Sequence, residues 1–391
     1  MAESNPQRRT GEAFARRLAV FYAALFITLG VQLPFLPVWL AAKGLDAQAI
    51  GVVLALPMVV RVFAIPTATR AADRRDALRA VIVVAAAAGF AGYGALAFAD
   101  GFITILIVFA LASAAYTPVM LLVDAYALRG LAQWGRAYGP VRLWGSAAFI
   151  VASFGAGYLL DLIAARDLVW LIVAAQGLVA IAACTLAPLR PAAAQARALA
   201  ASGKDLLRNP AFVAVIAAAS LIQASHAVYY GFSTIDWQRQ GLNGGAIGAL
   251  WALGVLAEIV LFAVSARLPA AVTPTMLLLL GAAGGALRWG AMAVGPPVAL
   301  LPLLQCLHAL SFGATHLGAI AFVARAAPAG LGATAQGYLA IALGIAMAVA
   351  MGLSGVLYGH YGALAYGAMA LAACGGVCVF IARGRTADGK S

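Results

Sequence analysis

Long apolar runs recur along this 391-residue chain, and they limit what it can fold into. A helix needs about 20 apolar residues to cross a bilayer. Strands do not fit, because the runs are too long and do not alternate between polar and apolar residues. Only 10% of the residues are charged, against about 25% in a soluble domain. We predict an all-α integral membrane protein with twelve transmembrane helices, at roughly 18–40, 47–68, 77–98, 102–128, 138–163, 167–187, 211–236, 245–266, 273–294, 298–323, 331–356 and 361–382.

The placement of Lys and Arg predicts the orientation of these spans. With the N-terminus inside, 19 of the 25 basic residues fall in inner loops or termini, three fall within spans, and three fall outside: Lys43, Arg166 and Arg239. Inner loops of membrane proteins carry this excess of basic residues. We therefore predict a multi-pass membrane protein with both termini cytoplasmic. The net charge of +12 then reflects topology, and we expect no nucleic-acid partner.

The chain contains an internal repeat. Gly44-Leu45 is followed by Ile50-Gly51, and Gly241-Leu242 is followed by Ile247-Gly248, at an offset of 197 residues. Six-span halves that repeat around a midplane site are the design of major facilitator transporters. We predict this fold, with two pseudo-symmetric six-helix halves at residues 1–187 and 211–391 and a central cytoplasmic loop at 188–210.

Ionisable residues within the predicted spans are the candidate functional residues, because a charge at that depth costs at least about 2.5 kcal/mol and needs a partner or a pathway. They are Arg61, Asp124, Arg142, His226, Glu258, Arg288, His308 and His316. Asp124 and Arg142 fall at similar depth on neighbouring spans, as do Arg288 and His308. We expect each of these two sets to lie close enough to pair.

Structural interpretations of several of these residues stay open. Arg61 is equally consistent with a lock near the inner end of its span, and His226 with a packing histidine. The Asp124–Arg142 pair could serve only to hold two helices together. Asp73 and Arg74, in the loop after the second span, indicate a gating or stabilising motif rather than a substrate contact.

Aromatic residues accompany two of the buried charges. His226 lies in a polar stripe at helical spacing that includes Tyr230. Trp144 and Phe149 follow Arg142 on the same span and are candidates to pack on a substrate ring. The four cysteines lie in apolar runs, which is not a disulfide framework, and Cys374 and Cys378 have no His or carboxylate beside them, so we predict no metal site.

The chain resembles the phenylpropionate permease family of the major facilitator superfamily over nearly its whole length. The segments that carry the resemblance are GVQLPFLPVWL (30–40), YGPVRLWGSAAF (138–149), HAVYYGFSTIDWQ (226–238), LWALGVLAEIVLF (250–262), LRWG (287–290) and LHALSFGATHL (307–317). The resemblance implies a major facilitator fold and transport of a small aromatic carboxylate.

A more distant similarity is to lactose permeases and nucleoside–proton symporters. In lactose permeases an acid precedes an arginine by 18 residues, as Asp124 precedes Arg142, and an arginine precedes a histidine by 20, as Arg288 precedes His308. The similarity departs at Ser311, where those proteins carry the proton-binding carboxylate. Glu258 becomes our candidate for the proton site, with Asp124, His308 and His316 as further candidates.

Together these patterns predict a proton-coupled importer of a small aromatic monocarboxylate that works by alternating access. Arg142 or Arg288 would hold the carboxylate, with His226, Tyr230, Phe149, Trp144 and His308 around the substrate. The sequence has no nucleophile–base pair or phosphate loop, so we predict no enzyme activity and no cofactor beyond the proton gradient. We expect a monomer in the lipid bilayer. Two alternatives stay open: a symporter of a neutral polar solute, such as a nucleoside or oligosaccharide, and a non-transporting membrane receptor.

Overall fold

The computed structural model of the protein describes residues 6–74, 76–189, 204–269, 271–328 and 331–388. Most of the predicted central loop, residues 190–203, lies outside these ranges. The helices of the first part are α1 (Pro6–Ala42), α2 (Ala47–Arg74), α3 (Leu78–Ala97), α4 (Phe102–Tyr116), α5 (Pro118–Ala132), α6 (Tyr138–Leu160) and α7 (Leu168–Cys184).

In the described residues after 203 there are nine more α-helices. They are α8 (Lys204–Arg208), α9 (Pro210–Ala224), α10 (Ala227–Arg239), α11 (Gly244–Ser265), α12 (Pro274–Ala293), α13 (Leu301–Cys306), α14 (Thr315–Ala326), α15 (Gly332–Tyr361) and α16 (Ala365–Asp388). A π-helix, Ala309–Ala314, precedes α14. Within the described ranges every regular element is helical, as predicted.

Eleven helical stretches of the described chain are long and apolar enough to cross a membrane. The last of them, Thr334–Val379, is 46 residues long, which is about twice the length that one crossing needs. Gly362 interrupts it with a φ of 55°, which separates α15 from α16. The eleven stretches therefore accommodate the twelve predicted spans, and the all-helical membrane fold is confirmed.

The internal repeat is visible in the backbone where α1 and α10 end. Gly44 and Gly241 have φ values of 86° and 87°, which a glycine adopts at little cost. The amide of Leu45 donates to the carbonyl of Leu40 at 3.2 Å, and that of Leu242 donates to Trp237 at 3.0 Å. Both helices thus end in the same glycine-dependent motif, 197 residues apart in sequence.

The next helix of each repeat also begins in the same way. The side chain of Asp46 accepts from the amide of Ala49 at 2.8 Å, and that of Asn243 accepts from Ala246 at 2.8 Å. Such side chains satisfy one of the backbone amides that lack a partner at a helix start. The repeated sequence therefore folds twice into the same helix–turn–helix corner.

The described chain forms two compact units, each with its own apolar core. The first consists of Met1–Leu45, Val59–Ala194 and Trp237–Ala252, and the second of Asp46–Met58, Gln195–Asp236 and Leu253–Ser391. Each unit thus includes one short segment from the opposite half of the sequence.

Glycines explain how these short segments pack. In the second unit, a Cβ added to Gly51 of α2 would lie 2.8 Å from the Cα of Gly355 in α15. In the first unit, a Cβ at Gly157 of α6 would overlap the carbonyl oxygen of Gly244 at the start of α11. Small residues let helix backbones approach this closely in membranes.

We expect Gly157→Leu to lower both the thermal stability and the transport rate of the purified protein. Its side chain has no room against Gly244, and overpacking of this kind costs about 1–3 kcal/mol or more. Gly155→Leu is the matched control, since a Cβ there meets nothing within 4 Å. The melting temperature and uptake rate of both variants should be compared with wild type. If both variants lost the same stability and uptake rate, the close approach of Gly157 to Gly244 would be contradicted.

Candidate functional site

Two of the predicted histidines lie where membrane helices are broken. His226 lies between α9, which ends at Ala224, and α10, which begins at Ala227. His308 lies between α13 and the π-helix Ala309–Ala314. Interrupted helices are typical of transporter binding sites, and π-helical turns often occur at functional sites. The two rings meet edge to face, with centroids 5.5 Å apart.

Arg288 lies at the centre of this cluster and is fully buried. Its Nη1 is 3.0 Å from the Nδ1 of His308, and its Nη2 donates to the Oε1 of Gln305 at 2.5 Å. The guanidinium also lies 4.4 Å from the ring centroid of Tyr229 and 4.5 Å from that of Trp289. The structure thus brings Arg288 and His308 together, and both terminal nitrogens of the arginine are engaged by neutral groups.

The contact with Arg288 determines which nitrogen of His308 carries a proton. An arginine N–H donates and cannot accept, so the Nδ1 of His308 must accept and the ring proton lies on Nε2. That Nε2 is 3.6 Å from the Oε2 of Glu258. The Glu258 side chain is 18% exposed and that of His308 is 9% exposed. The three residues therefore form a chain in which Glu258 is the most accessible end.

His226 is held at both ring nitrogens. Its Nδ1 is 3.1 Å from the backbone oxygen of Gln223, so Nδ1 donates, and its Nε2 is 3.2 Å from the Oγ of Ser311. Tyr230 stacks on the ring with centroids 5.6 Å apart. These contacts agree with the packing interpretation of His226. Ser311, which stands where lactose permeases carry the proton-binding carboxylate, thus has His226 as a hydrogen-bond partner.

Asp124 and Arg142 lie in the first unit and have different neighbours. Asp124 accepts hydrogen bonds from the hydroxyls of Tyr22 at 2.6 Å and Tyr138 at 2.8 Å. The guanidinium of Arg142 lies 4.0 Å from the ring centroid of Phe26 and 5.2 Å from that of Tyr22. Asp124 and Arg142, both described, form no ion pair in this structure. Their pairing in another conformational state stays a prediction.

We expect the double variant Tyr22→Phe/Tyr138→Phe to be less stable than Arg142→Gln. Asp124 would lose both of its donors, and a buried polar group left without a partner costs about 1–3 kcal/mol. Arg142→Gln leaves both tyrosine hydroxyls on Asp124. The melting temperatures of the purified variants measure the difference. A larger loss in Arg142→Gln would indicate that the arginine, and not the tyrosines, stabilises Asp124.

The other predicted substrate contacts lie further from the arginines. Trp144 is 62% exposed and lines a surface pocket with Glu12 and Arg136. It follows Arg142 by two residues, and residues at that spacing do not share a helix face. Phe149 is buried, but the rings that cover Arg142 are Phe26 and Tyr22.

The remaining predicted residues lie outside the cluster formed by Arg288, Gln305, His308 and Glu258. His316 is connected to it through a stack, in which Phe312 lies between the rings of His308 and His316 at centroid distances of 5.2 and 6.0 Å. Arg61 is partly buried on α2, whereas Asp73 and Arg74 are exposed at the end of that helix.

Sequence reasoning missed two polar residues of the second unit. Gln305 is fully buried and accepts from Arg288. Asp236 is 8% exposed and accepts from the hydroxyl of Tyr358 at 3.2 Å. Glu258 is therefore not the only carboxylate of the described second unit that is withdrawn from water. Asp236 was overlooked because it falls at the edge of a predicted span, where a charge normally reaches water.

Comparison with known proteins identifies the family. Residues 15–366 match the MFS_1 like family. The chain is 33% identical over 369 residues to the probable 3-phenylpropionic acid transporter of Escherichia coli (strain K12), covering 92% of this chain and 95% of the relative. It is 30% identical over 324 residues to the maltose permease of Geobacillus stearothermophilus, covering 81% and 80%.

Solved structures with the same fold are also transporters. A variant of the nucleoside transporter NupG has a TM-score of 0.84 and 18% identity, covering 95% of this chain and 98% of that one. The peptide transporter POT has a TM-score of 0.73 and 13% identity, covering 98% and 99%. The predicted absence of enzyme activity agrees with these relatives. The chain belongs to the MFS_1 like family and is a membrane transporter of the major facilitator type.

Proposed function

We propose that this transporter imports a small aromatic monocarboxylate together with a proton across the bacterial inner membrane. The observation that carries the proposal is Arg142, a partly exposed arginine whose guanidinium lies against Phe26 and Tyr22. Among the described residues no carboxylate lies within 4.0 Å of it. A cation on an aromatic surface without a counter-ion suits an aromatic anion. The 33% identical relative, a probable 3-phenylpropionic acid transporter, supports the same class of substrate.

Arg142 is the better of the two candidate carboxylate partners. Its flat face rests on Phe26, which leaves the N–H edges free to form a bidentate pair with a carboxylate. Arg288 is fully buried, and its terminal nitrogens already contact His308 and Gln305. A substrate would have to displace one of these partners to reach it. We therefore assign the carboxylate to Arg142 and a positioning role to Arg288.

Glu258 is the group that we expect to carry the proton. The Nδ1 lone pair of His308 is occupied by the Arg288 hydrogen bond, so a second proton on His308 would break that contact. A proton that arrives near His308 therefore goes to the carboxylate of Glu258. Protonation raises the net charge of the protein by one, which favours the loading of an anion.

The neutral-solute alternative has its own support. The maltose permease relative is named for a neutral sugar, and Asp124 with Tyr22 and Tyr138 forms a group of hydroxyl and carboxylate oxygens that could bind hydroxyl groups. In that case Arg142 would serve only to balance the charge of Asp124. The two functions differ in which ligands compete for uptake.

Uptake into proteoliposomes tests the proposal. We expect labelled 3-phenylpropionate to accumulate under an inward proton gradient, and unlabelled maltose or uridine not to compete. Protein-free liposomes are an essential control, because a weak acid also crosses lipid in its neutral form and collects in an alkaline lumen. Accumulation of maltose or uridine that 3-phenylpropionate does not inhibit would support the neutral-solute alternative instead.

A further inference from the structure

A basic pocket lies at one end of the first unit, away from Arg142. It has a volume of about 670 Å³ and is lined by Arg16, Arg17 and Val20 of α1, by Arg79 at the start of α3, and by residues 184–188 at the end of α7. No acidic residue is among its described lining residues. Two consecutive arginines of α1 and a third from the start of α3 thus line one cavity.

These three arginines have no acidic partner in the described chain. Arg79 donates from Nη2 to the backbone oxygen of Cys184 at 3.4 Å, which positions it across the end of α7. Arg16 and Arg17 are exposed. None of the three lies within 4.0 Å of a described carboxylate. The pocket therefore carries uncompensated positive charge.

Two nearby arginines outside this cavity are paired with carboxylates. Arg136 is 3.2 Å from Glu12, and Arg129 is 2.5 Å from Asp76. The excess of arginine at this end of the protein is therefore not uniform. The positive charge of the arginines that line the cavity is not balanced by a described carboxylate, which points to a negatively charged ligand there.

The pocket lies at the boundary between polar and apolar parts of the helices. The apolar run of α1 starts at Leu18, directly after Arg16 and Arg17. Val20 is 54% exposed, and Ile181, on the last turn of α7, is 68% exposed. Charged residues thus lie beside an exposed apolar surface, as the headgroup and acyl chains of a lipid require.

We propose that this pocket binds the phosphodiester headgroup of an anionic phospholipid, with acyl chains along the surface that contains Val20 and Ile181. Basic pockets between membrane helices bind such headgroups. The positive-inside rule places this end of the protein at the cytoplasmic leaflet, where anionic lipids attract basic segments. A soluble phosphate ester is also an anion but would leave the apolar surface uncovered.

Native mass spectrometry of the purified protein, titrated with phosphatidylglycerol or phosphatidylethanolamine, tests the proposal. We expect wild type to retain phosphatidylglycerol preferentially. Arg17→Gln/Arg79→Gln should weaken its retention more than tenfold, at about fivefold for each basic residue near an anionic surface. Val20→Trp should also weaken retention, because it fills the pocket without changing the charge and replaces an exposed side chain.

The matched control is Arg267→Gln/Arg325→Gln, which removes the same charge from exposed positions of the second unit. It should keep wild-type retention. If both double variants lose the same amount of phosphatidylglycerol retention, the lipid is held by general electrostatic attraction and the proposal is overturned. Displacement of the lipid by glycerol 3-phosphate or inorganic phosphate would also overturn it, in favour of a site for soluble phosphate. If the arginine variants do not fold, Val20→Trp decides: wild-type retention would exclude the pocket.

Discussion

Glu258→Gln is expected to bind 3-phenylpropionate but to lose its proton-driven accumulation completely. A glutamine has the shape of a protonated glutamate and cannot release the proton, so the variant should exchange substrate without coupling. Two contacts support this expectation. The Nε2 of His308 is 3.6 Å from the Glu258 carboxylate, and the Nδ1 of the same ring accepts a hydrogen bond from Arg288. Uptake above that of protein-free liposomes measures accumulation, and exchange of labelled for unlabelled substrate measures binding and translocation.

Asp236→Asn is the control for this experiment, because it removes the other buried carboxylate of the second unit. Asp236 accepts from Tyr358, and no hydrogen bond between Asp236 and His308 is present in the structure. We expect this variant to accumulate substrate. If Glu258→Gln accumulates normally while Asp236→Asn does not, the proton site is Asp236. If both accumulate normally, it lies among Asp124 and the histidines.

Arg142→Gln is expected to weaken the binding of 3-phenylpropionate at least tenfold. Hydrogen bonds to a charged group contribute about 1.5–3 kcal/mol, and a tenfold change in affinity corresponds to about 1.4 kcal/mol. Arg142→Lys should recover part of the affinity, because an ammonium keeps the charge but not the planar fork that lies on Phe26. Titration calorimetry of the purified variants gives the affinities directly.

Arg288→Lys is the comparison for this second prediction. It preserves the buried charge while disturbing the contacts with His308 and Gln305, so we expect impaired coupling with a smaller change in affinity. The opposite result would be unchanged substrate binding in folded Arg142→Gln and lost binding in Arg288→Lys. That result would assign the substrate carboxylate to Arg288. Binding of maltose or uridine by wild type that persists in Arg142→Gln would favour the neutral-solute alternative.

The membrane-spanning helices and the internal repeat could be predicted from the amino-acid sequence. About 20 apolar residues in a row have one stable arrangement in a bilayer, because a helix satisfies all its backbone groups internally. The equivalence of Gly44 and Gly241 could also be predicted, because a helix end with a positive φ favours glycine in both halves of the chain. The neighbourhood of Arg288 and His308 also followed from sequence, because adjacent antiparallel spans place residues of equal depth close together.

The partner of each of these polar residues could not be predicted, because it depends on how the helices pack. Depth along a span was predictable, but the direction of a side chain around its helix depends on helix rotation and on local breaks such as Ser225-His226 and the π-helix before α14. Asp124 therefore contacts two tyrosines rather than Arg142. The rings that cover that arginine are Phe26 and Tyr22, whereas Trp144 is exposed. Hydrogen bonds and ring contacts act over a few ångströms, so a rotation of one helix by a single residue is enough to exchange one partner for another.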